Sequence, residues 1–176
     1  QQNPQYISNA GRFKSDTPNT REVILYGVRR LATRDAEAAL LALQQHLPSH
    51  QFADEALNDA YAYVGVRLAL DGDNNNLLPS LPIALRANTG LTEARIRLAL
   101  KRLDWSQALV LMNLLSGDDQ ASPRWQYWKA RVLMGSSDPN DRQQARKAYE
   151  DLAKLRSFYG FIAADLLSLP YEFEDA

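Results

Sequence analysis

The sequence predicts an all-α fold, an α-solenoid or superhelix of stacked antiparallel helix pairs with about nine or ten helices. Three observations predict it. From Thr20 onward, apolar residues recur three and four apart in successive segments, with no convincing two-residue alternation. Gly90, Gly117, Gly135 and the prolines fall between those segments, where helices stop. An Asp followed four residues later by Ala recurs as Asp35/Ala39, Asp104/Ala108 and Asp141/Ala145. The offsets of about 69 and about 37 residues suit a helix-pair unit of roughly 34–37 residues. Each Asp is placed to cap or begin the second helix of a pair. The small Ala one turn later lets two helices approach closely.

Residues 1–19, with Pro4, Gly11 and Pro18, read as an extended N-terminal lead-in. Residues 20–171 read as one helical superhelical domain, similar in plan to tetratricopeptide stacks. Its first helix, "TREVILYGVRRLATR", has Thr20 as candidate cap and Val23, Ile24, Val28 and Leu31 on one stripe. "DAEAALLALQQHL" follows and ends before Pro48; "ADEALNDAYAYVGVRLAL" runs to an Asp-Gly-Asp-Asn cluster. A looser stretch, "LLPSLPIALRAN", precedes "LTEARIRLALKRL" and "DWSQALVLMNLL". "PRWQYWKARVLMG", "DRQQARKAYEDLAKL" and "SFYGFIAADLLSL" complete the series. One helix pair cannot bury its own apolar face, so neighbouring pairs must share a core.

Composition narrows the function. Hydrophobic residues make up 45% of 176, enough for a substantial core. A net charge of -1 gives no global pull on nucleic acid, and none is expected as a partner. No cysteine is present, so disulfides and thiolate chemistry are out. No apolar run reaches the roughly 18 residues of a membrane span. Charge is uneven: Arg86 to Arg156 carries 13 Lys and Arg against 8 Asp and Glu. That excess is either an ordinary solvated surface or a basic wall able to meet an anionic polymer.

Reaction chemistry finds little support. His46 and His50 are four apart, but Pro48 stands between them and no third ligand is evident, so no metal is expected. Carboxylates such as Glu22, Asp35, Glu37, Asp54, Glu55, Asp59 and Glu93 sit on polar faces or in first turns. None stands in a context that marks a general acid. No phosphate cradle or nucleophile elbow occurs, and no cofactor or catalytic residue is expected. "WQYWKAR" is richer. Trp125 and Trp128 lie three apart, with Tyr127 and Arg131 beside them. They form either a helix-packing surface or a platform on which a sugar ring stacks, and packing is the commoner use of such a pair. Trp105 receives the same packing reading.

These segments together resemble a known family. "ARIRLALKRLDW", "WQYWKARVL" and "DLAKLRSFYGFIAADLLSLPYEF" resemble, in order and approximate spacing, the soluble lytic transglycosylases. The matching part is their non-catalytic α-helical superhelix. "NPQY" and "GVRRLATRDAEAALLAL" are similar too. The resemblance implies a periplasmic enzyme of peptidoglycan. Such an enzyme cleaves between N-acetylmuramic acid and N-acetylglucosamine and leaves a 1,6-anhydro end. The family's catalytic Glu-Ser and Gly-Leu-Met-Gln motifs do not occur in this sequence. The expectation is therefore a scaffold portion, inactive alone, whose partners are peptidoglycan and its own catalytic domain. Residues 172–176 would begin the linker to that domain. Arg131, Arg156, Tyr159, Trp125 and Trp128 are the candidate contacts to glycan, peptide stem or neighbouring domain. The competing expectation is a stand-alone helical-repeat adaptor that binds a partner protein.

Overall fold

A computed structural model describes residues 4–171, and the expected linker at 172–176 lies outside them. All regular structure among the described residues is helical: nine α-helices and four short 3-10 turns. The chain forms two compact units, Gln1–Leu98 and Ala99–Ala176.

In the first unit, α1 (Pro18–Ala32), α2 (Ala36–His46) and α3 (Asp54–Asp71) pack on one another. α1 starts two residues before the expected Thr20. The Thr17 side chain accepts the Thr20 backbone N–H at 3.2 Å, and Pro18 supplies the φ a first helical turn needs. Asp35 caps α2 by accepting the Ala38 N–H at 2.8 Å. Gly72, at φ 103, ends α3 in the left-handed conformation, and its N–H reaches the Leu68 and Ala69 carbonyls. The buried Asp73 carboxylate then accepts the Leu77 and Leu78 N–H groups at 2.6 and 3.2 Å. Those bonds turn the looser stretch into two 3-10 turns, Leu78–Ser80 and Ile83–Ala87, whose Leu78 and Leu85 enter the core. α4 (Thr89–Lys101) follows, with Asn88 Oδ1 accepting the Leu91 N–H at 2.9 Å.

The lead-in is not extended. It forms 3-10 turns at Pro4–Ser8 and Ala10–Arg12, and Ile7 is fully buried against α1. Gly27 makes room: a Cβ there would lie 3.0 Å from Ile7 Cδ1. The lead-in's turn residues signal a break in the helix, whereas Ile7 is one apolar anchor among polar neighbours, with no periodicity to reveal it.

His46 ties this segment down. It is 0% exposed, and its Nε2–H donates to the Ile7 carbonyl at 2.9 Å. The Phe13 and His50 rings meet it edge-on, at 5.2 and 5.4 Å. The two histidines are thus core residues at a helix end. Burial pushes the His46 pKa below its ordinary 6.5; the Ile7 carbonyl opposes that and His50 adds to it. Below pH 6.5 the unfolded chain takes up a proton that folded His46 refuses, so unfolding gains. Stability should fall as pH drops from 6.5 toward the lowered value, then level off. Denaturant midpoints between pH 8 and about 4.5 check this; His46→Gln should flatten that part of the slope.

The second unit contains α5 (Trp105–Met112), α6 (Gly117–Gln120), α7 (Pro123–Met134), α8 (Pro139–Ala153) and α9 (Phe158–Leu167). Asp104 caps α5 through the Gln107 N–H at 3.0 Å, Asp138 caps α8 through Asn140 at 2.8 Å, and Ser157 caps α9 through Gly160 at 3.0 Å. Asp141 sits in the first turn of α8, so all three repeat aspartates cap or begin a helix. Their partners Ala39, Ala108 and Ala145 are all fully buried. Ala130, Ala145, Ala153, Ala163 and Ala164 bring α7, α8 and α9 close, and Tyr127, Tyr149 and Leu152 fill the remaining space.

Candidate functional site: the aromatic helix and its cleft

The candidate residues on α7 split by face. Trp125 and Tyr127 are buried, Trp128 is half-buried, and Arg131 is exposed. Trp125 is 2% exposed, with the Arg124 guanidinium 4.5 Å from its ring centroid. That leaves no indole face for a sugar, and Trp125 is a packing residue. Tyr127 is the hub: Trp128, Tyr149 and Tyr159 surround it at 5.6, 5.7 and 5.4 Å between centroids. Tyr159 therefore joins the α7 aromatics. Phe158 does not; it is 70% exposed. Phe161 instead meets the Tyr171 ring at 5.4 Å. Three residues so near each other on a helix cannot share one face, and the one turned toward Tyr127 is Tyr159. Arg156 lies exposed in the turn between α8 and α9.

Beside this cluster the second unit opens a cleft of about 840 Å³. Its walls come from α5, the end of α7, the start of α8 and the end of α9. Leu109, Leu133 and Leu167 supply aliphatic surface; Arg131, Asp141 and Tyr149 supply polar groups. Trp105, 39% exposed, stands on the wall, so the packing reading fails for it. The rim is held by hydrogen bonds. Ser136 Oγ donates to Asp141 Oδ2 at 2.7 Å, and Arg142 Nη1 donates to the Ser136 and Ser137 carbonyls at 2.9 and 3.2 Å.

The electrostatics suit recognition. Burial pushes the Tyr149 phenol up to about 12; Tyr127 adds to this and Arg131 works against it. The phenol is thus a hydrogen-bond donor at every physiological pH. Asp104 is held below its usual value by the Gln107 N–H and the Ser106 hydroxyl, the reverse of what a general acid requires. Among the described residues no group of three or more His, Asp or Glu is arranged to hold a metal ion. No helix among them is long and apolar enough to cross a membrane. Sequence reasoning singled out Arg131 but not the cleft, because Trp105, Asp141 and Tyr149 are scattered over 44 positions and gather only when α5, α7 and α8 fold together.

Fold and site together define a helical-repeat module with an aromatic packing centre and a ligand-sized cleft. Its relatives are specific. Over 172 residues, 97% of this chain, it is 24% identical to the soluble lytic murein transglycosylase of Escherichia coli K12, and equally to that of strain O157:H7. The structure of an inactive variant of the lytic transglycosylase Slt from Pseudomonas aeruginosa is 36% identical, with a TM-score of 0.80 over 97% of this chain. The 70-kDa soluble lytic transglycosylase of Escherichia coli superposes with a TM-score of 0.74 at 22% identity. No protein-family model matches the chain. The chain spans only 26% of the curated relatives and 28% of the Pseudomonas protein. The chain is therefore homologous to the soluble lytic transglycosylases across a helical portion of their length.

Proposed function

We propose that this chain is the non-catalytic helical scaffold of a periplasmic soluble lytic transglycosylase, shaping how peptidoglycan reaches the enzyme's catalytic domain. The observation that carries the reading is the match of 97% of the chain, at 36% identity and TM-score 0.80, to 28% of such an enzyme. Similarity to transglycosylases along 97% of the chain favours this reading over a helical-repeat adaptor. The parent reaction is cleavage between N-acetylmuramic acid and N-acetylglucosamine with a 1,6-anhydro product. The scaffold's contribution is geometric: packed helices hold their shape and limit which glycan strands approach. The 13-to-8 excess of basic over acidic residues between Arg86 and Arg156 supports contact with anionic peptide stems. Arg131 and Arg156 are the candidate contacts on that stretch, both exposed. Purified sacculi titrated with salt test this contact. The chain should be retained at low ionic strength and released at several hundred mM. Retention that ignores salt, or none at all, overturns the contact.

A further inference from the structure

Three polar groups line the cleft of the second unit without satisfying one another. Tyr149 is 4% exposed, and its hydroxyl makes no hydrogen bond among the described residues. Arg131 has neither an ion pair nor a hydrogen bond among them. Asp141 accepts a hydroxyl from Ser136 but has no cation, and it does not pair with Arg131 on the same cleft. The Tyr149 ring is buried while the residue lines the cleft, where a ligand can reach it. Tyr149 is thus a donor held ready in an apolar wall, beside a free guanidinium. Such a pair matches a carboxylate, which accepts from both at once.

The other surfaces decide what carries that carboxylate. Leu109, Leu133 and Leu167 are aliphatic, and the hydroxyls of Ser106 and Ser136 are already given to Asp104 and Asp141. A sugar ring, which needs many hydrogen-bond partners, would leave its hydroxyls unmatched here. Small apolar side chains would not. Asp141 faces a positive group or an amide N–H. The volume of about 840 Å³ lies within the range of sites that enclose small ligands. We propose that this cleft binds the carboxylate end of a short peptide with small apolar side chains, gripped by Arg131 and Tyr149. Trp105 closes over the peptide, and Asp141 engages its nitrogen end. This reading deepens the peptide contact proposed for Arg131 above by naming the ligand chemistry its cleft takes.

The test uses the whole 176-residue chain, N-acetyl-Ala-Ala-Ala as free acid and as C-terminal amide, and tri-N-acetylchitotriose. Binding is followed by backbone amide shifts and tryptophan fluorescence; all three tryptophans lie in the second unit. The free acid should bind about tenfold more tightly than the amide, one charge-assisted hydrogen bond's worth. Arg131→Gln should bring the acid down to the amide's level. Tyr149→Phe should weaken the acid about fivefold with the circular dichroism spectrum unchanged. Acid and amide binding alike overturns the proposal, as does silence of the cleft residues up to ~10 mM peptide. Saturation by the saccharide and not the peptide overturns it in favour of sugar stacking on Trp105. Sacculus retention is measured separately, so either result stands without the other.

Discussion

Trp125→Ala should destabilise the second unit by about 3–5 kcal/mol, the upper range for loss of a single buried side chain. The indole is 2% exposed, so its removal strips apolar burial and leaves a void that close-packed neighbours cannot fill. The Arg124 guanidinium, 4.5 Å above the ring, loses its partner as well. Trp128→Ala should cost less, because that ring is only partly buried where it packs on Tyr127. Both are measured by denaturant unfolding with near-ultraviolet circular dichroism, since tryptophan fluorescence itself changes in these variants. An unshifted midpoint for Trp125→Ala, coupled with lost retention on sacculi, would return that residue to the stacking platform.

Residues whose signal is local were legible in the sequence. Asp35 and Asp104 announce helix starts because an Asp side chain reaches N–H groups three residues on, wherever the helix sits. Ala39, Ala108 and Ala145 announce close contacts because they recur at a fixed distance from those starts. Ile7 gave no such signal: its burial depends on Gly27 leaving room on α1 and on His46 binding its carbonyl from the end of α2. Those partners lie 20 and 39 residues away in the chain, and only the fold brings them together.

The candidate site repeats the pattern. Tyr159 and Tyr127 both carry helical spacing into a known packing face, and they meet. Trp105 carries the same residue type as Trp125, and both sit in the first turn of a helix, yet Trp105 is 39% exposed on the cleft wall and Trp125 is 2% exposed. Residue type and helix position alone do not separate core from surface for an aromatic; the tertiary neighbours do. Arg131 and Tyr149 reach the same cleft only because α7 and α8 pack side by side.

Gly160→Ala separates local propensity from tertiary packing most sharply. On an isolated helix the change should stabilise by about 1 kcal/mol, because alanine loses less backbone entropy. In this fold it should destabilise instead. A Cβ at position 160 would lie 2.8 Å from the Leu152 carbonyl oxygen and closer still to that of Leu155. Neither carbonyl is free to move. The Leu152 oxygen accepts the Leu155 N–H at 2.9 Å, and the Leu155 oxygen accepts the Ser157 N–H at 2.8 Å. Ser157 in turn caps α9, so relief of the clash must shift the whole helix start away from α8. Overpacking against fixed backbone outweighs the propensity gain, and a net loss of about 2–3 kcal/mol is expected in tryptophan-monitored unfolding. Gly117→Ala is the control: a Cβ there meets nothing within 4 Å, so the midpoint should hold or rise slightly. A Gly160→Ala midpoint equal to or above wild type would mean that α8 and α9 do not approach through this glycine.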